Sequence, residues 1–345
     1  MSHDVQLNVN AKKFGGWKSI AIDNGMEQIA GAFDLSVTNK WEDEPVVREI
    51  NPGDLCEVII DGKVEITGNV DTVDTDYDDK THTIRVTGRD RTGDLVDCSA
   101  AVKQYKNQTL LQIAKDVCKP FNVDVTADAD VGAAFADRVV GSGESAYEVI
   151  ESLARHRGVL MMSNKKGGFV FTRATKTKRA PTALIFGENI MAASGSRDHR
   201  DRYHTYKLVS QTPITEGFGG TDATEPTATS IDANIRKERI LIIDVDSAQS
   251  DLNKRADWEA KVRYARSDVV TYTVLGWGHE DNLWEPNTLV KVKDARNKIN
   301  DDRLIVHVYR ILDEDAGQIS EITVMFKNAF DLISIPEEKD SSIGF

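Results

Sequence analysis

Hydrophobic and polar residues alternate along the first hundred positions of the chain. Val5, Leu7 and Val9 are separated by polar residues, as are Phe33, Leu35 and Val37. A strand with one buried face has this period of two. Asn51-Pro52-Gly53-Asp54 reads as a turn, Leu55–Ile60 as a strand, Asp61-Gly62 as a tight turn and Lys63–Thr67 as the return strand. Asp-Gly between two such runs signals a hairpin, because both turn positions favour positive φ. Ile84 and Val86 belong to one more alternating run. Several short antiparallel strands close most naturally into a small barrel or sandwich, which hides their edges.

From about residue 102 the period changes. Asn107 is placed to cap a helix whose Leu110, Ala114 and Val117 share one face, with Lys119-Pro120 as its stop. Phe121, Val123 and Val125 then alternate as a strand. Ser145-Ala-Tyr-Glu148 is a capping box that opens a second helix, with Tyr147, Ile150, Leu153 and Ala154 as its stripe and Gly158 as its left-handed terminator. Val159–Ser163 and Phe169–Arg173 read as a strand pair, which completes an α+β module.

The remainder returns to strands: Tyr203–Ser210, Ile240–Asp246, Val269–Leu275, Leu289–Lys293, Leu304–Ile311 and Ile322–Phe326. One helix near Ala248–Arg266 interrupts them, with Leu252, Ala256, Ala260 and Tyr264 spaced by four. Residues 215–234, rich in Gly, Thr and Ala, lack periodicity and read as a long loop. A weak internal repeat runs through both strand regions. Pro52-x-x-Leu55-x-x-Val58 recurs as Pro286-x-x-Leu289-x-x-Val292. Ile66, Val70, Val73, Ile84 and Val86 then match Leu304, Val308, Ile311, Ile322 and Val324 at one constant offset. The expected fold class is therefore α+β, mainly β: two similar small antiparallel β-barrels plus an α+β module.

The chain has 345 residues, suited to two or three domains, with 43 Lys+Arg against 56 Asp+Glu, a net charge of −13. That acidity argues against wrapping nucleic acid, since phosphate contacts need positive charge. The odd cysteine count (Cys56, Cys98, Cys118), with no C-x-x-C pair, argues against a disulfide framework or a structural zinc and fits a reducing compartment. The N-terminal stretch has no apolar run of signal-peptide length, and no run approaches a membrane span.

No pattern for catalysis emerges. His199 and His204 have a spacing that suits neither a helix face nor a strand face for a metal. Asp71, Asp74, Asp76, Asp78 and Asp79 lack the Gly and Glu of a calcium loop and read as a solvated acidic loop. Gly217–Gly220 lacks the Lys-Ser/Thr of a phosphate loop, and Ser142 lacks a nucleophile elbow. Lys165–Arg179 carries six basic residues and no acid. It reads as a strand edge that resists pairing or meets an acidic surface on a neighbouring subunit, with a nucleic-acid hairpin as the other reading.

Several runs together resemble the Mu-like phage tail hub (baseplate) proteins, the late control or gpP-type family. They are Val5–Asn10, Gly16-Trp17, Gly31–Leu35, Pro52-Gly-Asp54 with Val58–Gly62, and Gly88–Ala100. Gly143-Glu144, Arg157–Leu160, Leu283–Asn287 and Leu289-Val290 complete the match. Within it Gly88, Arg89, Asp90, Thr92, Gly93, Asp94, Leu95, Asp97, Trp284, Pro286 and Asn287 are the most specific positions, expected to serve fold or assembly. Gly88 and Gly93 are expected to permit turns, and Arg89 with Asp90 or Asp94 to form internal ion pairs at a barrel-to-helix junction.

The resemblance implies a structural hub, with no enzyme activity, cofactor or metal. It implies a homotrimer with two tail-tube-like barrels per chain, joining the sixfold tail tube to the threefold central spike, contacting other baseplate proteins and lining a channel through which DNA passes unbound. The expected units are residues 1–101, a first barrel; 102–180, the α+β module; and 181–345, a second barrel with an inserted loop and helix. The expected location is the virion tail baseplate, after assembly in host cytoplasm and without stable membrane association. The alternatives are the spike base of a contractile secretion system or bacteriocin, and a tail-associated cell-wall hydrolase.

Overall fold

The computed structural model describes residues 3–38, 50–79, 82–211, 227–246, 252–279, 282–313 and 317–331. The period-two pattern yields β1 (Val5–Val9), β2 (Ser19–Gly25), β3 (Ala32–Thr38), β4 (Leu55–Ile60), β5 (Lys63–Tyr77) and β6 (His82–Asp90). They lie side by side in the order β2-β3-β6-β5-β4-β1, every neighbour antiparallel. Asp61 (φ 48°) and Gly62 (φ 78°) form the predicted tight turn. Leu7, Ile22, Leu35, Val58, Ile66 and Val86 share one fully buried core. Among the described residues of the second half, only Trp277, Leu283 and Leu312 reach that core. Its apolar face is therefore buried mostly among residues of the first ninety positions, and burial of each large aliphatic contributes about 1.5–3 kcal/mol.

The module follows as α1 (Gly93–Asp97), α2 (Leu110–Cys118), β7 (Val125–Ala127), α3 (Ala146–Arg157), β8 (Leu160–Ser163) and β9 (Phe169–Thr172). Both capping-box bonds of Ser145 and Glu148 are made, and Gly158 ends α3 at φ 61°. The cap of α2 is Thr109, boxed with Gln112, and not Asn107, which has φ 51° inside the preceding strand. The strand expected from Phe121 begins only at Val125, because Lys119–Phe121 makes a 3-10 turn and Asn122 turns back through the left-handed region. Leu110, Ile113, Val149, Ile150, Phe169 and Phe171 anchor the module core.

The three cysteines are unpaired; Cys56 and Cys118 are buried, and burial pushes both thiols up to about 12. The thiolate is the reactive form. A thiol reagent at pH 8 is expected to label Cys98 alone in the native protein and all three after denaturation, read by intact mass.

The rest of the chain forms β10 (Ile190–Arg197), β11 (Thr205–Gln211), β12 (Thr227–Ile231), β13 (Ile240–Asp246), α4 (Leu252–Arg266), β14 (Asp268–Leu275), β15 (Thr288–Asp294), β16 (Ile299–Asp313) and β17 (Gly317–Phe326). Residues 227–231, expected as loop, are β12; residues 212–226 and 248–251 lie outside the described residues. β12-β11-β13 make a small sheet whose Leu208 and Ala228 pack on Ala256 of α4. The buried stripe of α4 is Ala256, Glu259, Val262 and Ala265, while Tyr264 is exposed. The stripe is rotated from the predicted one because the helix also covers β17 and β14.

A second strand set runs β10-β14-β17-β16-β15, all antiparallel, around its own core of Val270, Tyr272, Val292, Ile305, Val308 and Val324. Strand for strand this repeats β2-β3-β6-β5-β4. The repeat extends to an irregularity. Val70 pairs with Gly88 and the next pair is Thr72 with Thr87; Ile305 pairs with Val324 and the next is His307 with Thr323. Asp71 and Val306 are thus the extra residues of equivalent β-bulges. Leu55 opposite Asn69 corresponds to Leu289 opposite Leu304, as the Pro-Leu-Val motif requires. The constant offset read from the later strands is corrected by this pairing: Val70 corresponds to Ile305 and Val86 to Ile322. The sets differ at their outer strands, since β1 is antiparallel to β4 whereas Leu184–Ile185 is parallel to β15.

One seam joins the sets. β16 pairs with β2 from His307 opposite Gly25 to Leu312 opposite Ile20, giving a single sheet of thirteen described strands. The N-terminal segment reinforces it: His3 stacks on Trp277 at 5.6 Å and exchanges two 2.9 Å hydrogen bonds with Gln318. The fold is mainly β with helices in the module and beside the second set. Among the described residues no strand pairing closes either set into a barrel.

Candidate assembly site

The most specific sequence run, residues 88–97, sits where the first strand set hands the chain to the module. Gly88 is a mid-strand residue of β6, not a turn. A Cβ there would lie 2.3 Å from the Asn69 carbonyl oxygen and 2.5 Å from Phe33 Cζ, so only glycine admits this approach. Gly93 opens α1 without positive φ, its missing Cβ facing the Arg89 guanidinium at 3.4 Å. Neither glycine makes the turn expected of it.

Arg89 does form ion pairs, through Nε to Asp71 and Nη2 to Asp97, both 2.7 Å. It ties the bulge of β5 to the end of α1, and its guanidinium holds the Asp97 carboxyl below its ordinary range. All three groups are well exposed, so each pair contributes at most about 1 kcal/mol. Asp90 is not an ion-pair partner. It is buried, which pushes its carboxyl up, and accepts from Ser163 Oγ (2.6 Å) and the Thr92 backbone N–H (3.1 Å). The fully buried Thr92 hydroxyl lies 2.8 Å from the Ile29 carbonyl, and Leu95 enters the module core. Asp94 is exposed in the first turn of α1. The run therefore bonds strand, helix and the β8–β9 hairpin together.

Residues 284–287 form a second joint, immediately before β15. Asn287 adopts φ 55°, donates to the Arg173 carbonyl (3.1 Å) and accepts from the Thr175 N–H (2.7 Å). Pro286 precedes it in the half-buried turn, and buried Trp284 packs in the second core while its carbonyl accepts from Arg310.

Between the two joints lies a charge cluster that the sequence pattern did not reveal. Lys165 Nζ bridges Glu65 (3.0 Å) and Glu285 (2.8 Å), Lys178 meets Glu285 at 2.6 Å, and buried Arg310 stands 3.8 Å from Glu65. Glu65 is the extra residue where β5 slips against β4 between the Val58–Ile66 and Ile59–Val64 pairs, and that bulge turns it inward. Arg310 sits in phase with buried Val308, the one sequence signal available for it. Burial acts to raise the Glu285 carboxyl, but Lys165 and Lys178 outweigh it and bring it down to about 2. A carboxyl depressed in the folded state contributes stability that is complete above its unfolded value of 4.5 and lost as pH falls toward 2. Acid titration is therefore expected to loosen this junction between those limits, and Glu285→Gln to flatten that part of the pH–stability curve.

Much of the basic stretch Lys165–Arg179 thus finds acidic partners within its own chain: besides the cluster, Arg179 pairs with Asp302 at 2.8 Å and Lys176 stands 3.7 Å from Asp331. Among the described residues no group of His, Cys, Asp and Glu could hold a metal ion, and no helix is long and apolar enough to cross a membrane.

Comparison with known proteins gives this arrangement its context. Residues 4–90 match the Mu phage baseplate assembly protein GpP-like N-terminal domain, 92–173 the baseplate hub protein gp44-like second domain, and 248–333 the GpP fourth domain. The baseplate hub protein gp44 of Escherichia phage Mu is 32% identical over 99% of this chain and 91% of its own length. The 43 kDa tail protein of prophage MuSo2 from Shewanella oneidensis is 36% identical, with a TM-score of 0.83 over 96% of this chain and all of that one. A tail protein from Neisseria meningitidis shares the fold at 21% identity, with a TM-score of 0.79 over 97% of this chain and all of that one. With three domain models matched in order and a hub relative aligned end to end, the chain belongs to the Mu-type phage baseplate hub family, structural proteins of the phage tail.

Proposed function

We propose that three copies of this chain close into a ring that adapts the sixfold tail tube to the threefold central spike. The repeat of β2-β3-β6-β5-β4 in β10-β14-β17-β16-β15, bulge included, carries this reading. Three chains present sixfold contacts only if each supplies two equivalent units. The two strand sets are the tube-like units, completed as barrels by their neighbours in the ring, and the α+β module and the β11–β13 unit with α4 mark threefold symmetry outside it. In this reading the chain divides near residues 101 and 180, and the joints at Gly88, Arg89, Asp90, Thr92, Gly93, Asp94, Leu95 and Asp97 and at Trp284, Pro286 and Asn287 fix one unit against the next.

The tail tube, the spike and other baseplate proteins are the partners, in the virion baseplate after assembly in host cytoplasm. DNA passes without being held: the exposed β5–β6 hairpin carries Asp74, Asp76 and Asp79, and the net charge is −13. Duplex DNA is expected to pass unretained through a filter assay at physiological salt. Light scattering is expected to give three times 38.2 kDa; a monomer that persists at high concentration would overturn the ring.

A further inference from the structure

Within one chain the distal half of β16 pairs with β2. By the repeat, β16 corresponds to β5, and β2 corresponds to β10, because Ile22–Phe33–Gly88 aligns across three strands with Gly195–Val270–Val324. Both of the corresponding edges are open. Residues 71–76 of β5 have β6 on one side and no strand on the other among the described residues, and all but Val73 are exposed. Among the described residues β10 pairs with β14 alone, apart from an isolated bridge from Ile190 to Phe186, and is exposed from Met191 to Arg197.

We infer that β10 of one copy adds antiparallel to the distal half of β5 of the next, reproducing between chains the β2–β16 pairing within them. The inference rests on the ring proposed above and names its contact. Transferring the register of Ile311 opposite Ala21 and Tyr309 opposite Asp23 sets Asp76 opposite Ser194 and Asp74 opposite Ser196. Three features of β10 favour this. Its Ala192-Ala-Ser-Gly-Ser196 run is small enough to admit a close neighbour. It carries neither Lys nor Pro, the residues that ordinarily blunt an exposed edge. Arg197 at its end comes level with Val73, beside Asp74, so a cation meets the acidic edge of β5. The contact is heterologous, one edge against a different edge, and such a contact closes into a ring when its rotation closes.

The test joins Asp76→Cys with Ser194→Cys in a Cys98→Ser background, oxidised at assembly concentration. A covalent trimer on a non-reducing gel is expected, with neither single variant nor an off-register Thr72→Cys/Ser194→Cys pair giving it. Hydrogen exchange on the unmodified protein covers the case in which the variants fail to assemble. Amides of residues 190–197 are expected to exchange at least ~100-fold more slowly than exposed loop amides. A trimeric mass with no cross-link and fast exchange across 190–197 would overturn this contact and leave the ring standing. A monomeric mass would overturn both.

Discussion

Gly68→Ala is expected to remove a large part of the protein's folding stability. Gly68 lies in β5 opposite Asp90, and a Cβ there would sit 1.8 Å from the Arg89 carbonyl oxygen and 2.8 Å from the Asp90 Cα. These are backbone atoms of a paired strand, so relief requires breaking the β5–β6 ladder beside the bulge. Overpacking of a rigid site ordinarily costs about 1–3 kcal/mol, and an overlap with backbone lies at or beyond the top of that range. Against a total stability of about 5–15 kcal/mol, much of the folded margin disappears. Soluble yield and the urea midpoint measure it; a midpoint within ~0.3 M of the parent would contradict the packing described for this joint.

Lys165→Met should be the most damaging change among the charges. It leaves Glu65, almost fully buried, facing Glu285 with only Arg310 and Lys178 to offset them. Breaking a buried ion pair from one side costs about 3–5 kcal/mol, because the remaining charge stays desolvated. The loss should shrink as pH falls from 4.5 toward 2, where the Glu285 carboxylate that Lys165 stabilises takes up its proton in the parent protein as well. Glu65→Gln added to Lys165→Met should recover part of the stability at pH 7. A pH-independent loss would show that Lys165 acts through packing of its stem alone.

The strands around the first core were legible because Leu7, Leu35, Val58 and Val86 alternate with polar neighbours, and one buried face leaves that trace. β10 left none. Its residues are exposed on both faces, so neither face selects apolar side chains, and Ala-Ala-Ser-Gly-Ser has no period. Asn107 and Thr109 are both good caps, and only the chain direction set by the β-strand Gln104–Gln108 gives the role to Thr109. The repeat was visible in Pro-x-x-Leu-x-x-Val, yet its later register is off by two residues in β6, where an even slip keeps alternating residues in phase, and by three in β5, where the bulge absorbs the odd step. The bulges at Asp71 and Val306 settle it, and a bulge has no sequence mark of its own. Within the joints, Arg89 was foreseen as an ion-pair residue. The burial of Glu65 and Arg310 depends on strands distant in sequence and could not be read locally.

The central claim is that two equivalent strand sets per chain convert threefold into sixfold symmetry. An electron cryo-microscopy map of the purified full-length assembly, reconstructed with threefold symmetry only, tests it directly. The account predicts six superposable strand units around the axis at one end, with β10 continuing into β5 of the next copy, and three modules outside them. A ring in which the first and second sets lie at different radii, or a map showing two or four copies, would contradict it.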